Sequence, residues 1–292
     1  MIDKEPYNIK TEEDFSRVLE QIDQEMRNDN IPITARQIKG FLKFSSRFGL
    51  GLSMSDPLAR KVMAWFEVRY GNKLNVDYST GEMAISIRGD LFKVRFPFIG
   101  GKVQVICDPR FWMPNPGTQI AKDGNDPLPV FNLLNCIEGL TEDYALTLSL
   151  EEQKELTRLF LFGWQATQSI CHIKNIPFIE EAKGDIAASI SHLFEQRPQY
   201  GLSKWASLQA VEKTIKAFIR HKGQTPPFGH DLQALATRAE ALGLPALQST
   251  ELAKVQCSAG VRYGQPTVTK MEALEAHHSA IRLCAEIANQ LR

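Results

Sequence analysis

Two stripes near the C-terminal end each set one ionisable residue into an apolar helical seam, and this constrains the fold more than anything else in the chain. Leu202, Trp205, Leu208, Ile215 and Ile219 recur at spacings of three, four and seven, and the position that completes the stripe is Glu212. Met271, Leu274, Ile281, Ala285 and Ala288 form a second stripe, in which His278 fills the gap between Leu274 and Ile281. The periodicity predicts helices over about 202–221 and about 270–291, packed in one bundle. A helix over 178–196, carrying Ile179, Ile186, Ile190 and Leu193, precedes them. Another opens at Gly229-His-Asp-Leu232, with Asp231 as its cap. An unpaired buried carboxylate costs several kcal/mol, so Glu212 must escape to the edge or find a partner. The expectation is that Glu212, His278 and Arg262, which lies just upstream of the last helix, converge in a polar cluster. The plainer alternative is a satisfied buried pair that fixes helix register.

The first half reads differently. Thr11 followed by Glu12, Glu13 and Asp14 predicts a capped helix start. A second helix follows Thr34 and stops at Gly49-Leu-Gly51, and a third opens at Ser55-Asp-Pro57. The period then shortens. Residues 74–78, 83–88, 92–96 and 103–107 are β-prone runs separated by turn residues, which predicts a four-stranded antiparallel meander. Ile85 and Ile87 alternate with Ala84, Ser86 and Arg88, which suggests one covered face and one wetter face. Residues 108–129 are rich in Pro, Gly, Asn and Asp around Phe111-Trp-Met113 and predict a long loop. Those three side chains would pin it to the sheet or line a groove. Ser149-Leu-Glu-Glu152 is a capping box before a strong helix to about His172. Pro177 disfavours helix at Ile176, and the expected boundary falls there, dividing the chain into 1–176 and 177–292.

Bulk properties narrow the function classes. Lys+Arg and Asp+Glu are both 34 in 292 residues, so any polyanion partner needs a local patch rather than a global field. The five cysteines are scattered without metal-ligand spacing, which points to reduced thiols and no metal site. No signal peptide or membrane-spanning apolar run is visible, so a cytoplasmic setting is expected. Phosphate-loop, dinucleotide, zinc-protease and hydrolase motifs are missing, and no cofactor is expected.

The string Gln209-Ala-Val-Glu-Lys213 with Lys216-Ala217, then His230-Asp-Leu232 and Arg262-Tyr263, resembles the HEPN family (higher eukaryotes and prokaryotes nucleotide-binding) over about 178–292. The resemblance implies an up-and-down bundle of four or more helices there, so the expected fold is an α+β N-terminal domain, read from the patterns above, followed by an all-α helical bundle. It also implies frequent homodimers and an association with nucleotides or RNA, often in bacterial defence or toxin–antitoxin settings. Ribonuclease members of the family carry an arginine, four to six residues, then a histidine near the start of the last helix. Here no arginine precedes any of the six histidines at that separation. Arg262 lies fourteen or more residues before His277 and His278.

The leading expectation is therefore a non-catalytic nucleotide- or RNA-associated interaction module. Its binding candidates are Lys213, Lys216, Arg220 and His230. For Arg220 a helix-dipole role suffices, and for His230 a turn-fixing hydrogen bond does. One alternative is a divergent metal-independent ribonuclease using Arg262 with His277 or His278, with Glu212 nearby. The other is a structural protein-docking module.

Overall fold

The computed structural model describes residues 9–53, 56–74, 79–98, 103–111, 121–122 and 129–291. The chain divides into two compact units, Met1–Asp77 and Tyr78–Arg292.

Among the described residues the first unit holds three α-helices, α1 (Glu12–Asn28), α2 (Ile33–Phe48) and α3 (Pro57–Tyr70). The Thr11 hydroxyl accepts from the Asp14 amide at 3.1 Å, and α2 ends on Gly49 in the left-handed region at φ 63. Asp56 stands at the start of α3 with Pro57 next, while Ser55 lies outside the described residues. Phe15, Leu19, Ile22, Met26, Phe41, Phe44, Val62 and Phe66 form the core. At its edge Asp23 is almost wholly buried. It accepts from the Tyr70 hydroxyl at 2.6 Å and from Arg27 at 2.9 Å, with Arg69 at 3.3 Å and Arg36 at 3.6 Å. One carboxylate thus ties together side chains from all three helices.

The second unit begins with a hairpin of β1 (Ser79–Ile87) and β2 (Asp90–Pro97), turned through Arg88 and Gly89, both at positive φ as a two-residue hairpin of primed type requires. Next come β3 (Gln104–Ile106), β4 (Ala121–Lys122), β5 (Pro129–Asn132) and β6 (Ile137–Glu138). Seven helices follow: α4 (Glu142–Leu146), α5 (Leu150–Cys171), α6 (Ile179–Leu193), α7 (Tyr200–His221), α8 (Leu232–Glu240), α9 (Ser249–Val255) and α10 (Lys270–Ala288).

The four-stranded meander is not what forms. The antiparallel sheet has the order β1-β2-β6, and β3 instead pairs parallel with β5, which β4 joins from its other side. The edge of β2 is taken by Ile137 beside Val94 and by Glu138, whose carboxylate meets Lys93 at 3.1 Å and Arg95 at 2.9 Å. This cross-strand match of charge and apolar surface settles the neighbour, and it comes from a segment too short to register as a strand in sequence. Leu74 ends a 3-10 turn, and the rest of the expected first strand lies outside the described residues. So do Trp112 and Met113, while Phe111 is half exposed.

The expected wetter face of β1 is half-buried at Ser86 and exposed at Arg88, but it is covered at Ala84. Met83, Ile85 and Ile87 pack with α5, where Gly163 leaves room for the Phe96 ring and the Met83 methyl; a Cβ there would sit 2.3 Å from Phe96. On the other face Ala84 is fully buried with Leu193, Ala273 and Leu274. Position 176/177 consequently falls inside the second unit. One continuous core runs from Phe96 and Phe160 through Ile215 and Phe218 to Ile281 and Ile287. The break after α5 turns the chain without interrupting that core.

Candidate functional site

Four side chains leave α7 on one flank: Trp205, Gln209, Glu212 and Lys216, at helical spacings of four, three and four. Glu212 is buried, and each of its oxygens is occupied. Lys216 Nζ lies 2.6 Å from Oε1, and His230 Nδ1 lies 2.6 Å from Oε2. Gln209 Nε2 donates to the second oxygen at 3.2 Å, and Lys216 also reaches the Gly229 carbonyl at 3.3 Å. The carboxylate in the seam is thus a satisfied one.

His230 arrives from the loop before α8. Asp231 caps that helix through the Ala234 amide at 3.0 Å. Gln256 clamps the junction, accepting from the Leu232 amide at 2.9 Å and donating to the His230 carbonyl at 3.2 Å. The His230 ring is more than half exposed and meets Trp205 edge-on, with centroids 5.4 Å apart. A carboxylate on Nδ1 fixes the imidazole's orientation. The 3-10 segment Ala259–Tyr263 closes the group, placing the Arg262 guanidinium 4.6 Å from the Trp205 ring centre and 5.5 Å from that of Tyr263.

That segment is seated by glycine. A Cβ on Gly201, in the first turn of α7, would lie 2.1 Å from the Val261 carbonyl oxygen. Gly201→Ala is expected to push the Arg262 segment off Trp205 while leaving the bundle folded. Increased hydrogen exchange confined to residues 259–265, or a changed Trp205 emission, checks this. An unchanged exchange pattern contradicts it.

The structure links Glu212 to Arg262 only indirectly, through His230 and then Trp205, and does not bring His278 to them. The imidazole of the group is His230. His278 Nε2 donates to the Ala84 carbonyl at 2.7 Å, and the Ala84 amide donates to His277 Nε2 at 3.2 Å. His277 Nδ1 therefore carries the proton and donates to Ser189 Oγ at 2.8 Å. The physical reason is the free edge of β1. There the amide and carbonyl of Ala84 face no strand, and two neighbouring imidazoles of α10 satisfy both. Without a strand assigned beside α10, sequence gives no sign of this.

Lys213 is drawn to Asp185 at 2.6 Å, and burial raises the carboxyl of Asp185 above the usual range. Arg220 is exposed in the last turn of α7, where a cation suits the helix dipole. Sequence reasoning did not single out Trp205, Gln209 or Tyr263 as site residues. Gln209 and Tyr263 lie within the strings that carry the family resemblance, and Trp205 reads from its spacing as core.

Burial lowers the His277 pKa to about 3, with the neighbouring His278 acting in the same direction. The unfolded chain binds this proton near 6.5, whereas the folded one refuses it until about 3. Stability from this group is complete above about 6.5 and falls as pH drops toward 3, by up to about 1.4 kcal/mol per pH unit. His277→Gln is expected to flatten that slope between pH 5 and 6.5 in denaturant titrations. An equal slope in both proteins refutes the assignment.

The family comparison agrees with this architecture. Residues 178–290 match the family model of the HEPN domain. The C-terminal part is a HEPN domain. It covers a little over a third of the chain, and the N-terminal region matches no family model. No curated protein and no solved structure matches the chain significantly. The HEPN part spans α6 to α10, and the Glu212–His230–Trp205–Arg262 group lies wholly within it. Among the described residues no helix is long and apolar enough to cross a membrane.

Proposed function

We propose that the HEPN domain is a non-catalytic binding module for nucleotides or RNA, that it dimerises through its helices, and that Trp205, His230 and Arg262 hold the ligand. The setting we infer from the domain type is bacterial defence or a toxin–antitoxin pair. The single observation that carries the reading is Trp205, with the His230 edge and the Arg262 guanidinium both against it. An aromatic side chain for a base, a guanidinium for a phosphate and an oriented imidazole are the groups such a ligand requires. Lys216 and Lys213 serve the framework in this reading, because each is spent on a carboxylate.

The ribonuclease alternative has less support. Both ring nitrogens of His277 are occupied and the side chain is fully buried, while His278 is bound to strand β1. Thermal shift against ATP, GTP and short RNAs tests the proposal, since a ligand favouring the folded state raises the midpoint. Binding that Arg262→Gln weakens at least about ten-fold is the expected result, as for loss of a charged hydrogen bond to phosphate. No metal-independent cleavage of RNA is expected from the intact protein or from His278→Ala. Absence of a shift with every ligand defeats the proposal, and cleavage abolished by His278→Ala restores the nuclease.

A further inference from the structure

Two aromatic rings on the segments that carry this group serve no core. Phe228 is fully exposed and Tyr263 is 78% exposed. Large rings on loops are usually buried, so two left in solvent on the segments of one polar group call for a use. Phe228 stands two residues before His230 in the chain, and Tyr263 directly follows Arg262, so the backbone ties one exposed ring to each end of the His230–Trp205–Arg262 sequence of contacts.

The cations sort in a matching way. Lys213 and Lys216 are paired with Asp185 and Glu212. Arg262, by contrast, makes no ion pair among the described residues, and its Nε donates only to the Ala259 carbonyl, at 3.3 Å. A guanidinium without a carboxylate, set among aromatic rings, suits a backbone phosphate with stacked bases on either side.

We propose that Phe228, Trp205 and Tyr263 form a stacking platform for a single-stranded polynucleotide whose phosphate rests on Arg262. This rests on the reading of the same face as the ligand site and deepens it. One base covers one exposed ring, so occupation of both Phe228 and Tyr263 requires linked nucleotides. Stacking tolerates any base, and the platform is therefore indifferent to sequence. It is equally indifferent to whether the strand is RNA or DNA, except where a polar side chain such as His230 meets a ribose hydroxyl.

The test measures fluorescence anisotropy of labelled single-stranded RNA and DNA of increasing length on the full chain, with mononucleotides as competitors. Phe228→Ser and Tyr263→Ser alter exposed rings and leave the fold intact, and Arg238→Gln on α8 is the control cation. Affinity should rise with length, and each serine variant should weaken a long strand about five-fold or more while a mononucleotide is affected less. Equal RNA and DNA affinity, or an RNA preference that His230→Ala removes, both fit the platform. Mononucleotides binding as well as long strands, or serine variants without effect, overturn it. In that case the ligand site itself still stands if Arg262→Gln abolishes mononucleotide binding. An equal loss with Arg238→Gln identifies diffuse electrostatic attraction and also overturns the platform.

Discussion

Replacing Asp23 with alanine is expected to destabilise the N-terminal three-helix unit strongly while the HEPN domain keeps its stability. Asp23 is 1% exposed, and Tyr70, Arg27, Arg36 and Arg69 all point at its carboxylate. Removing one partner of a buried ion pair costs about 3–5 kcal/mol, because the groups left behind lose solvation already given up. Not all of that applies here. Arg27 and Arg69 are more than a third exposed and can turn to water. Arg36 and the Tyr70 hydroxyl cannot do so as readily, since the Arg36 side chain is only 12% exposed. A loss of about 3 kcal/mol is the resulting expectation, against a total stability of about 4–12 kcal/mol for a unit of this size. Asp23→Asn should lose less, because an amide oxygen still accepts from Tyr70. Hydrogen exchange read by mass spectrometry on the whole chain separates the two units. Protection should fall by about a hundred-fold over residues 12–70 and stay unchanged over residues 150–288. Retained protection in the first unit with the alanine variant removes Asp23 from its central role.

That aspartate also shows where sequence reading stops. Asp23 sits among Glu20, Gln24 and Glu25 on a charged helix, and composition alone makes it one more solvated acid. Its burial follows from Tyr70 and Arg36 arriving from two other helices, and no single-helix pattern carries that. Elements with a strong local signal are legible: the Thr11 cap, the Ser149–Glu152 capping box and the Asp231 cap form where their residue types place them. The sheet is less legible. The two-residue strand β6, starting 40 positions after the end of β2, completes it, and non-local pairing leaves little trace in a short run.

The site divides along the same line. Glu212 is conspicuous because it interrupts a stripe, and its need for a partner follows from its charge. The identity of that partner did not follow. His278 interrupts the other stripe and by pattern is its natural mate, yet α10 offers His277 and His278 to the edge of β1, and His230 comes from a loop. Polar residues in two facing stripes need not face each other when a third element supplies unsatisfied backbone groups. Trp205 is a related case, because one side chain both continues an apolar stripe and presents its ring to Arg262 and His230.

Glu212→Leu separates the framework role of the carboxylate from its part in binding. The substitution fills the seam with an apolar side chain of similar size, so the cavity cost is small. What remains is Lys216 and His230 without their common acceptor. Lys216 keeps the Gly229 carbonyl and a route to solvent, and His230 is largely in solvent already. The expected cost is therefore about 2 kcal/mol, below the range for a sealed buried pair. For a unit of this size that lowers the midpoint of thermal unfolding by roughly 4–8 °C. Released from Oε2, the His230 ring loses its fixed orientation beside Trp205. RNA affinity of the folded protein should fall by about ten-fold, the scale of one oriented, charge-assisted contact. A double-mutant cycle with His230→Ala tests the connection, because the second substitution should add almost nothing to the binding loss if Glu212 acts through His230. Full additivity in binding would show that the two residues work separately. A variant that loses stability yet binds as the wild type reduces Glu212 to a brace between α7 and the loop that precedes α8.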